Sequence, residues 1–454
     1  MASYASDELD RFQEAIQSLK LYRRAELESA QGNDLIEKLY VDPLPHDHVH
    51  KLLRQPNTTF LVGRKGTGKS TVFLRAQKSL LNDSDVLSTY VDIKTVFESA
   101  QVEPALAANL SNVDEALPET ALAQLLLMTS FLRAVVSGIR DDLNKQLRAS
   151  WKLRVREAFT GTYDELAAGL DAFIETLEQP VFVNVQGVRT ARVRGLHREE
   201  TSNRREGTFK LDTVTGANLG IAGGHTDGRS SEDEQDYADV LLRSIDVRRL
   251  ITGLKELLEP LRVRHLYVFL DDFSELPLTA MQTVVDVLIA PLNNWSEELV
   301  KFKVAAYPGR IYYGSLDKSK LDEVSLDLHS LYGQSSLADM EEKGVDSTRR
   351  LIEKRLEHFH VDLQQYMEPR SEKAVWMALF QASLGNPRTL GYILFFIYES
   401  QLLYGRKISV AGVRDAAKRY YEDKLEPYLE WADSSMSHSK RSRQSSASKN
   451  CWNA

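Results

Sequence analysis

The chain has a single cysteine in 454 residues, Cys451. Neither a disulfide within one chain nor a cysteine-built zinc site is open to it. Long apolar runs are missing as well. The two longest mostly apolar stretches, 121–132 and 391–397, end against Arg133 and Glu399, well short of the ~20 residues a helix needs to cross a bilayer. Residues 1–20 contain no apolar h-region, so no secretory signal is expected and the chain reads as cytosolic (cytoplasmic). Charge is nearly balanced, with 57 Lys+Arg against 65 Asp+Glu for a net −8. That excludes a generally basic nucleic-acid coat protein while leaving room for a local basic patch. The G-x-S-x-G elbow of a serine hydrolase is absent. What remains is ordinary for a soluble globular protein: 43% hydrophobic and 27% charged residues, in a length that suits about two or three domains.

Periodicity gives the organisation. Leu9, Phe12, Ile16, Leu19 and Tyr22 recur at spacings of three and four, predicting a helix over 6–30 with Ser6 as N-cap. A loop with Pro43, Pro45 and Pro56 leads to a strand at 58–62, a Gly-rich turn at 63–69, a helix at 70–81 and a strand at 86–93. Helical patterns follow at 122–132, 143–159 and 163–177, then short strands at 182–188 and 208–214. A Gly-, Asp- and Ser-rich stretch at 215–236 reads as a mobile loop. Helix returns at 237–258, an apolar strand at 266–270, a helix at 278–290 and strands at 301–307 and 323–328. Residues 346–430 are nearly all helical, and a Ser-rich basic tail occupies 433–454. Strand and helix alternating around a central part imply an α/β fold with a parallel, doubly wound sheet.

The Gly-rich turn, Gly63-Arg64-Lys65-Gly66-Thr67-Gly68-Lys69-Ser70, fits G-x-x-x-x-G-K-[ST] without a mismatch, and Thr71 follows it. Its glycines let the backbone curl so that successive N–H groups face phosphate oxygens. Lys69 supplies a point charge between the β- and γ-phosphates, and the Ser70 hydroxyl completes a Mg²⁺ shell. The N-terminus of the following helix adds the positive end of its dipole. A strand before the turn and a helix after it are the context such a loop requires.

The second motif is His265-Leu-Tyr-Val-Phe-Leu270-Asp271-Asp272, a strand ending in two carboxylates. A sheet of this kind is expected to place that strand beside the Gly-rich one. Asp271 would then reach the Mg²⁺ shell, and Asp272 would orient and deprotonate an attacking water, with Glu275 in reserve. The alternative is that both carboxylates cap the helix that follows Pro277.

Together these residues resemble the AAA+/STAND group of P-loop ATPases, especially its origin-recognition-like branch, over about 40–95 and 245–425. The resemblance implies a P-loop NTPase core (41–99 and 241–335), a large insertion (100–240), a C-terminal helical lid (336–430) and ATP with Mg²⁺ as ligands. An N-terminal helix (1–40) and a basic tail (431–454) flank them. The resemblance also implies a nucleotide-sensing role for Arg310, just after the strand at 301–307, and for Arg388 in Gly385-Asn-Pro387-Arg388. Residues 347–359 look like the first lid helix. Gly385 and Pro387 equally suit ordinary helix capping, whereas an Arg at a helix N-terminus opposes the dipole and suits an anionic partner. The sequence departs from the group in having Asp272 where many hydrolysing members carry Glu, and in lacking a recognisable arginine finger.

The implied function is a Mg²⁺-dependent ATPase of low or partner-dependent turnover. It would act as a nucleotide-driven switch, in a bacterial defence or signalling system, through self-association or a protein partner. Two alternatives stand beside it: a DNA-associated ATPase of initiator type, for which about 30 residues beyond 425 leave too little chain for a winged helix, and a scaffold that binds nucleotide without turning it over. Arg189, Arg192, Arg194, Arg198, Arg204 and Arg205 form a basic run that could grip a phosphate backbone. Glu199, Glu200 and Glu206 partly neutralise it into a solvated loop. His46, His48 and His50 alternate on a Pro-rich loop without a fourth ligand, a poor metal set that more naturally packs near an adenine. Phe395, Phe396 and Tyr398 read as core.

Overall fold

The computed structural model describes residues 4–20, 35–83, 85–99, 263–295, 299–333 and 336–427, with isolated residues between 134 and 142, between 252 and 262, and at 429. The helices expected at 122–132, 143–159 and 163–177 and most of 237–258 lie outside these residues. So do the strands at 182–188 and 208–214, the loop at 215–236, the arginine run and the tail. The chain divides into two compact units, one of residues 48–64 and 72–325 and one of 1–47, 65–71 and 326–454.

The first unit is built on a five-stranded, all-parallel sheet: β1 (Thr58–Val62), β2 (Val86–Asp92), β3 (His265–Asp271), β4 (Val300–Ala306) and β5 (Leu321–Ser325), in the order β2-β3-β4-β1-β5. Parallel neighbours need crossover connections, so helices cover the faces and the inner strands read as apolar runs rather than alternating ones. β1 is buried along its whole length, and β3 from Leu266 onward. In register, Phe60 lies beside Val304, and Phe269 beside Tyr90. Phe60, Val268, Leu270, Phe302 and Phe273 fill the core, and Phe73 of the helix Lys69–Leu80 meets Phe269 edge-on at 5.2 Å.

The observed order corrects one expectation. β3 is not beside β1, because β4 pairs with both and separates them. Sequence pattern marks a strand as buried but carries no record of its neighbour. Two boundaries also move. The last strand begins at Leu321 rather than 323 and ends at Ser325. The helix expected over 278–290 continues to Trp295 through a π-helical turn, Val284–Ile289. That wider turn comes just ahead of Pro291, whose missing N–H interrupts the regular ladder.

The second unit is helical. Leu337–His358, Glu372–Ser383, Pro387–Ser400 and Val410–Tyr420 pack with the N-terminal helix Ser6–Lys20 around Phe12, Ile16, Tyr366, Leu379, Ile393 and Ile397. Phe396 and Tyr398 are buried in this core and Phe395 packs against it. The N-terminal helix presents Phe12, Ala15, Ile16 and Leu19 as its buried stripe. It crosses Pro387–Ser400 at Gly391, where a Cβ would stand 2.8 Å from that of Leu19. Ser6 is not its N-cap: the carbonyl of Ala5 accepts from Glu8 and Leu9, so Ser6 is already in the first turn. The helix expected over 347–359 starts ten residues earlier, at Leu337, capped by Ser336 accepting from the Asp339 N–H. Arg355, buried, donates to the Leu39 carbonyl at 3.0 Å, and Arg350 donates to that of Asp42 at 3.0 Å. Tyr332 donates to the Pro43 carbonyl at 2.6 Å. These donors hold the segment 39–43 against the helices.

The sheet also encloses a charge. Lys303 of β4 is 0% exposed, and its Nζ donates to the carbonyls of Gln55 and Asn57 and to Thr59 Oγ1 at 2.9, 2.6 and 2.8 Å. Three acceptors around one nitrogen suit the ammonium form, which alone has three N–H groups to give. Burial works against it and pushes the pKa down to about 7. In the unfolded chain a lysine titrates near ~10.4, so between pH 7 and 10 the unfolded state binds the extra proton and stability rises with pH. Lys303→Ala removes the stem and its donors and should cost about 3 kcal/mol in urea denaturation at pH 7. The gap to wild type should widen as pH is raised from 7 to 10, because the variant lacks this group's contribution.

Candidate functional site

Because every strand runs the same way, Val62, Asp92, Asp271, Ala306 and Ser325 all lie at the carboxyl edge of the sheet. Open α/β sheets bind their ligands at that edge. The Gly-rich turn leaves the sheet there, with the Gly63 N–H donating to the Ala306 carbonyl at 3.0 Å.

Asp271 ends β3 and is 4% exposed. One carboxylate oxygen accepts from the Asp272 N–H at 2.9 Å, and the other accepts from the phenol of Tyr90, a buried residue of β2. Asp272 lies in the left-handed region, φ +53°, and opens the 3₁₀ turn Phe273–Glu275 without a side-chain cap bond. A non-glycine residue seldom sits there without a local reason. The alternative that these two carboxylates cap the helix after Pro277 does not apply, since Pro277 itself is the N-cap residue of that helix.

The loops beyond β3 and β4 are tied together. The Ser274 hydroxyl accepts from the Tyr307 N–H at 2.8 Å and donates to the Arg310 carbonyl at 2.7 Å. Arg310 donates through Nη2 to the Leu276 carbonyl at 2.9 Å. The phenol of Tyr307 donates to Glu275, which also lies 3.7 Å from Lys94 Nζ. Burial, that bond to Glu275, and the charges of Glu275, Asp272 and Asp271 all raise the Tyr307 pKa. The phenol therefore stays protonated and serves as a donor. In this arrangement Arg310 braces the loop that follows the two aspartates, and Glu275 is engaged by Tyr307 and Lys94.

Residues 65–71 group with the helical unit. Gly66 and Gly68 adopt φ of +88° and +90°, the region that L side chains avoid, so the curl rests on these two residues. Lys69 is buried and opens the helix Lys69–Leu80, with Ser70 and Thr71 in its first turn. The side-chain amide of Asn386 donates to the Lys65 carbonyl at 2.9 Å. A Cβ on Gly66 would stand 2.7 Å from Asn386 Oδ1 and 2.8 Å from the Cβ of Arg388. The structure thus brings Lys65, Gly66, Asn386 and Arg388 together, with Arg388 at the second position of Pro387–Ser400.

Tyr90, Asn386 and Ser274 are not evident as site residues from sequence motifs. Asn386 carries a local signal, an N-cap residue type directly before a proline at the first helical position. Tyr90 and Ser274 carry none, because their partners are distant in sequence or on other strands. Among the alternating histidines, His50 is buried and pairs with the Ser79 hydroxyl at 3.1 Å, while His46 and His48 are exposed. Among the described residues, no group of three or more His, Cys, Asp or Glu could hold a metal ion, and no helix is long and apolar enough to cross a membrane. No protein-family model matches the chain, and no curated protein matches it.

Proposed function

We propose that the chain binds ATP with Mg²⁺ at the turn 63–70 and hydrolyses it slowly, as a P-loop ATPase of the AAA+/STAND kind acting as a nucleotide-driven switch. The observation that carries this reading is the turn itself. A G-x-x-x-x-G-K-S string joins a fully buried parallel strand to a helix, with both inner glycines at positive φ and the lysine at the first helical position. Curled backbone N–H groups and a helix N-terminus favour an anion on physical grounds alone.

The roles follow from the chemistry of each group. Gly63, whose own N–H is taken by the Ala306 carbonyl, opens the curl; the backbone N–H groups of Arg64, Lys65, Gly66, Thr67 and Gly68 would bind phosphate oxygens, with Lys69 and Thr71 adding donors. Ser70 and Asp271 are the oxygen ligands suited to Mg²⁺, a hard cation. When bound, Mg²⁺ neutralises charge on the phosphates. Tyr90 holds the Asp271 carboxylate in place through its hydrogen bond. Asp272 accepts the proton of the attacking water. Arg388, half-buried beside Gly66, answers to the γ-phosphate, and Arg310 positions the loop that carries Asp272.

The test is phosphate release from ATP with Mg²⁺, with and without DNA. Lys69→Ala should abolish nucleotide binding. Asp272→Asn should retain binding and lower turnover by about a hundredfold or more. Binding without phosphate release under any condition would make the protein a nucleotide-gated scaffold. A rise with DNA that falls steeply with salt would favour the initiator reading. Tyr90→Phe should raise the Mg²⁺ concentration needed for half-maximal turnover by about tenfold while leaving ATP binding without Mg²⁺ unchanged.

A further inference from the structure

The geometry points to Asn386 as the positioning residue for the nucleotide turn: its side chain fixes the 65–66 peptide plane and so aims the Gly66 N–H. The inference rests on the nucleotide reading above and names a residue that no motif in the turn contains.

The amide of Asn386 is used on both sides. Oδ1 accepts from the N–H groups of Arg388 and Thr389 at 3.1 and 3.2 Å, which caps the helix Pro387–Ser400. Nδ2 donates to the Lys65 carbonyl at 2.9 Å. All three partners agree on which end of the amide is oxygen, since a flip would set a donor against two donors and an acceptor against an acceptor. The 65–66 peptide is trans, so the Lys65 C=O and the Gly66 N–H point in opposite directions. A donor that holds the carbonyl outward turns that N–H inward, toward the concave side of the curl. Gly66 cannot be replaced without disturbing this contact, because a Cβ there would overlap both Asn386 and Arg388. The turn and the start of the helix therefore specify each other. Binding of a phosphate at the Gly66 N–H is coupled to the N-terminus of Pro387–Ser400 through one side chain.

Two substitutions separate the clamp from the cap. Asn386→Ser and Asn386→Asp both keep an N-cap acceptor. Serine is too short to reach Lys65, and aspartate has no N–H to give and turns a carboxylate toward a carbonyl. In the full-length protein without nucleotide, mass-detected hydrogen exchange of a peptide spanning 63–69 should quicken about fivefold in both variants, the net worth of one neutral hydrogen bond. Exchange across 387–400 should stay at the wild-type value, and the melting temperature should fall by no more than about 2–4 °C, what loss of one hydrogen bond costs. The dissociation constant for ATP with Mg²⁺ should rise about fivefold in Asn386→Ser and further in Asn386→Asp.

Unchanged exchange at 63–69 in both variants would overturn the clamp. Quickened exchange with wild-type affinity for ATP would overturn the positioning role. A general loss of protection with a larger fall in melting temperature would assign Asn386 to helix stability alone. Wild type that fails to bind ATP would sink the nucleotide reading and the aiming of the Gly66 N–H with it, while the exchange result would still decide whether the clamp exists.

Discussion

Five strands running in one direction set the terms for everything else in the sheet unit. A parallel pair cannot be closed by a tight turn, so each connection must travel back over a face of the sheet. Every departing loop is thereby forced to one edge and every arriving loop to the other. On the departing edge Asp271 ends β3, and Gly63 and Tyr307 follow the ends of β1 and β4. Gln55 and Asn57, which precede β1, lie on the arriving edge, and there the buried ammonium of Lys303 gathers their carbonyls. The polar groups that the sheet buries are thus divided by edge. Those at the amino edge include the carbonyls of Gln55 and Asn57, which Lys303 takes up together with the Thr59 hydroxyl. Those at the carboxyl edge are carboxylates and phenols whose partners lie on neighbouring strands and loops.

An open sheet also leaves a row of unpaired backbone groups on its outer strands. At β2 one of those groups, the Tyr90 N–H, meets a residue from the stretch between β2 and β3. The Asp142 carboxylate accepts from the Tyr90 N–H at 2.6 Å and from Gln77 at 3.0 Å, and Val135 is buried in the core of the sheet unit. Tyr90 is consequently held at both ends, by its backbone N–H on Asp142 and by its phenol on Asp271. A residue fixed in this way can hold a carboxylate still. Asp142, from the stretch after β2, therefore bears on the acidic strand through Tyr90.

Much of the sheet was legible because its strands are short, apolar and sharply bounded. The reading of 58–62 matches β1 residue for residue, and those of 86–93, 266–270 and 301–307 fall within one residue of the observed ends. Strand order was not legible, since burial looks the same whichever neighbour provides it. For that reason β3 was wrongly expected beside β1. Lys303 was hidden for a related reason: one lysine in an apolar strand gives no sign of whether it turns out to solvent or reaches carbonyls 246 and 248 positions away. The early start of the helix at Leu337 was obscured by Leu337 itself, 70% exposed, which begins a turn with no apolar stripe to announce it. In the site, the Gly-rich turn and the paired aspartates were plain because their chemistry is local, whereas the residues that hold them in place belong to other elements.

The turn 63–70 shows why such support matters. Glycine at 66 and 68 gives the backbone freedom to curl, and that same freedom carries the largest conformational entropy loss on ordering. A turn with two such residues and no outside contact would sample many shapes, few of which aim consecutive N–H groups at one point. The Gly63 N–H is fixed by the Ala306 carbonyl, and the Lys65 carbonyl is fixed by Asn386, 321 positions along the chain. Those two contacts hold positions 63 and 65, and Gly66 and Gly68 follow them. Beyond them, Lys69 begins a regular helix whose geometry is set by its own ladder. Each contact removes some of the backbone freedom of the residue that makes it. A peptide plane held in this way is ordered before any ligand is met, which is the general benefit of preorganisation.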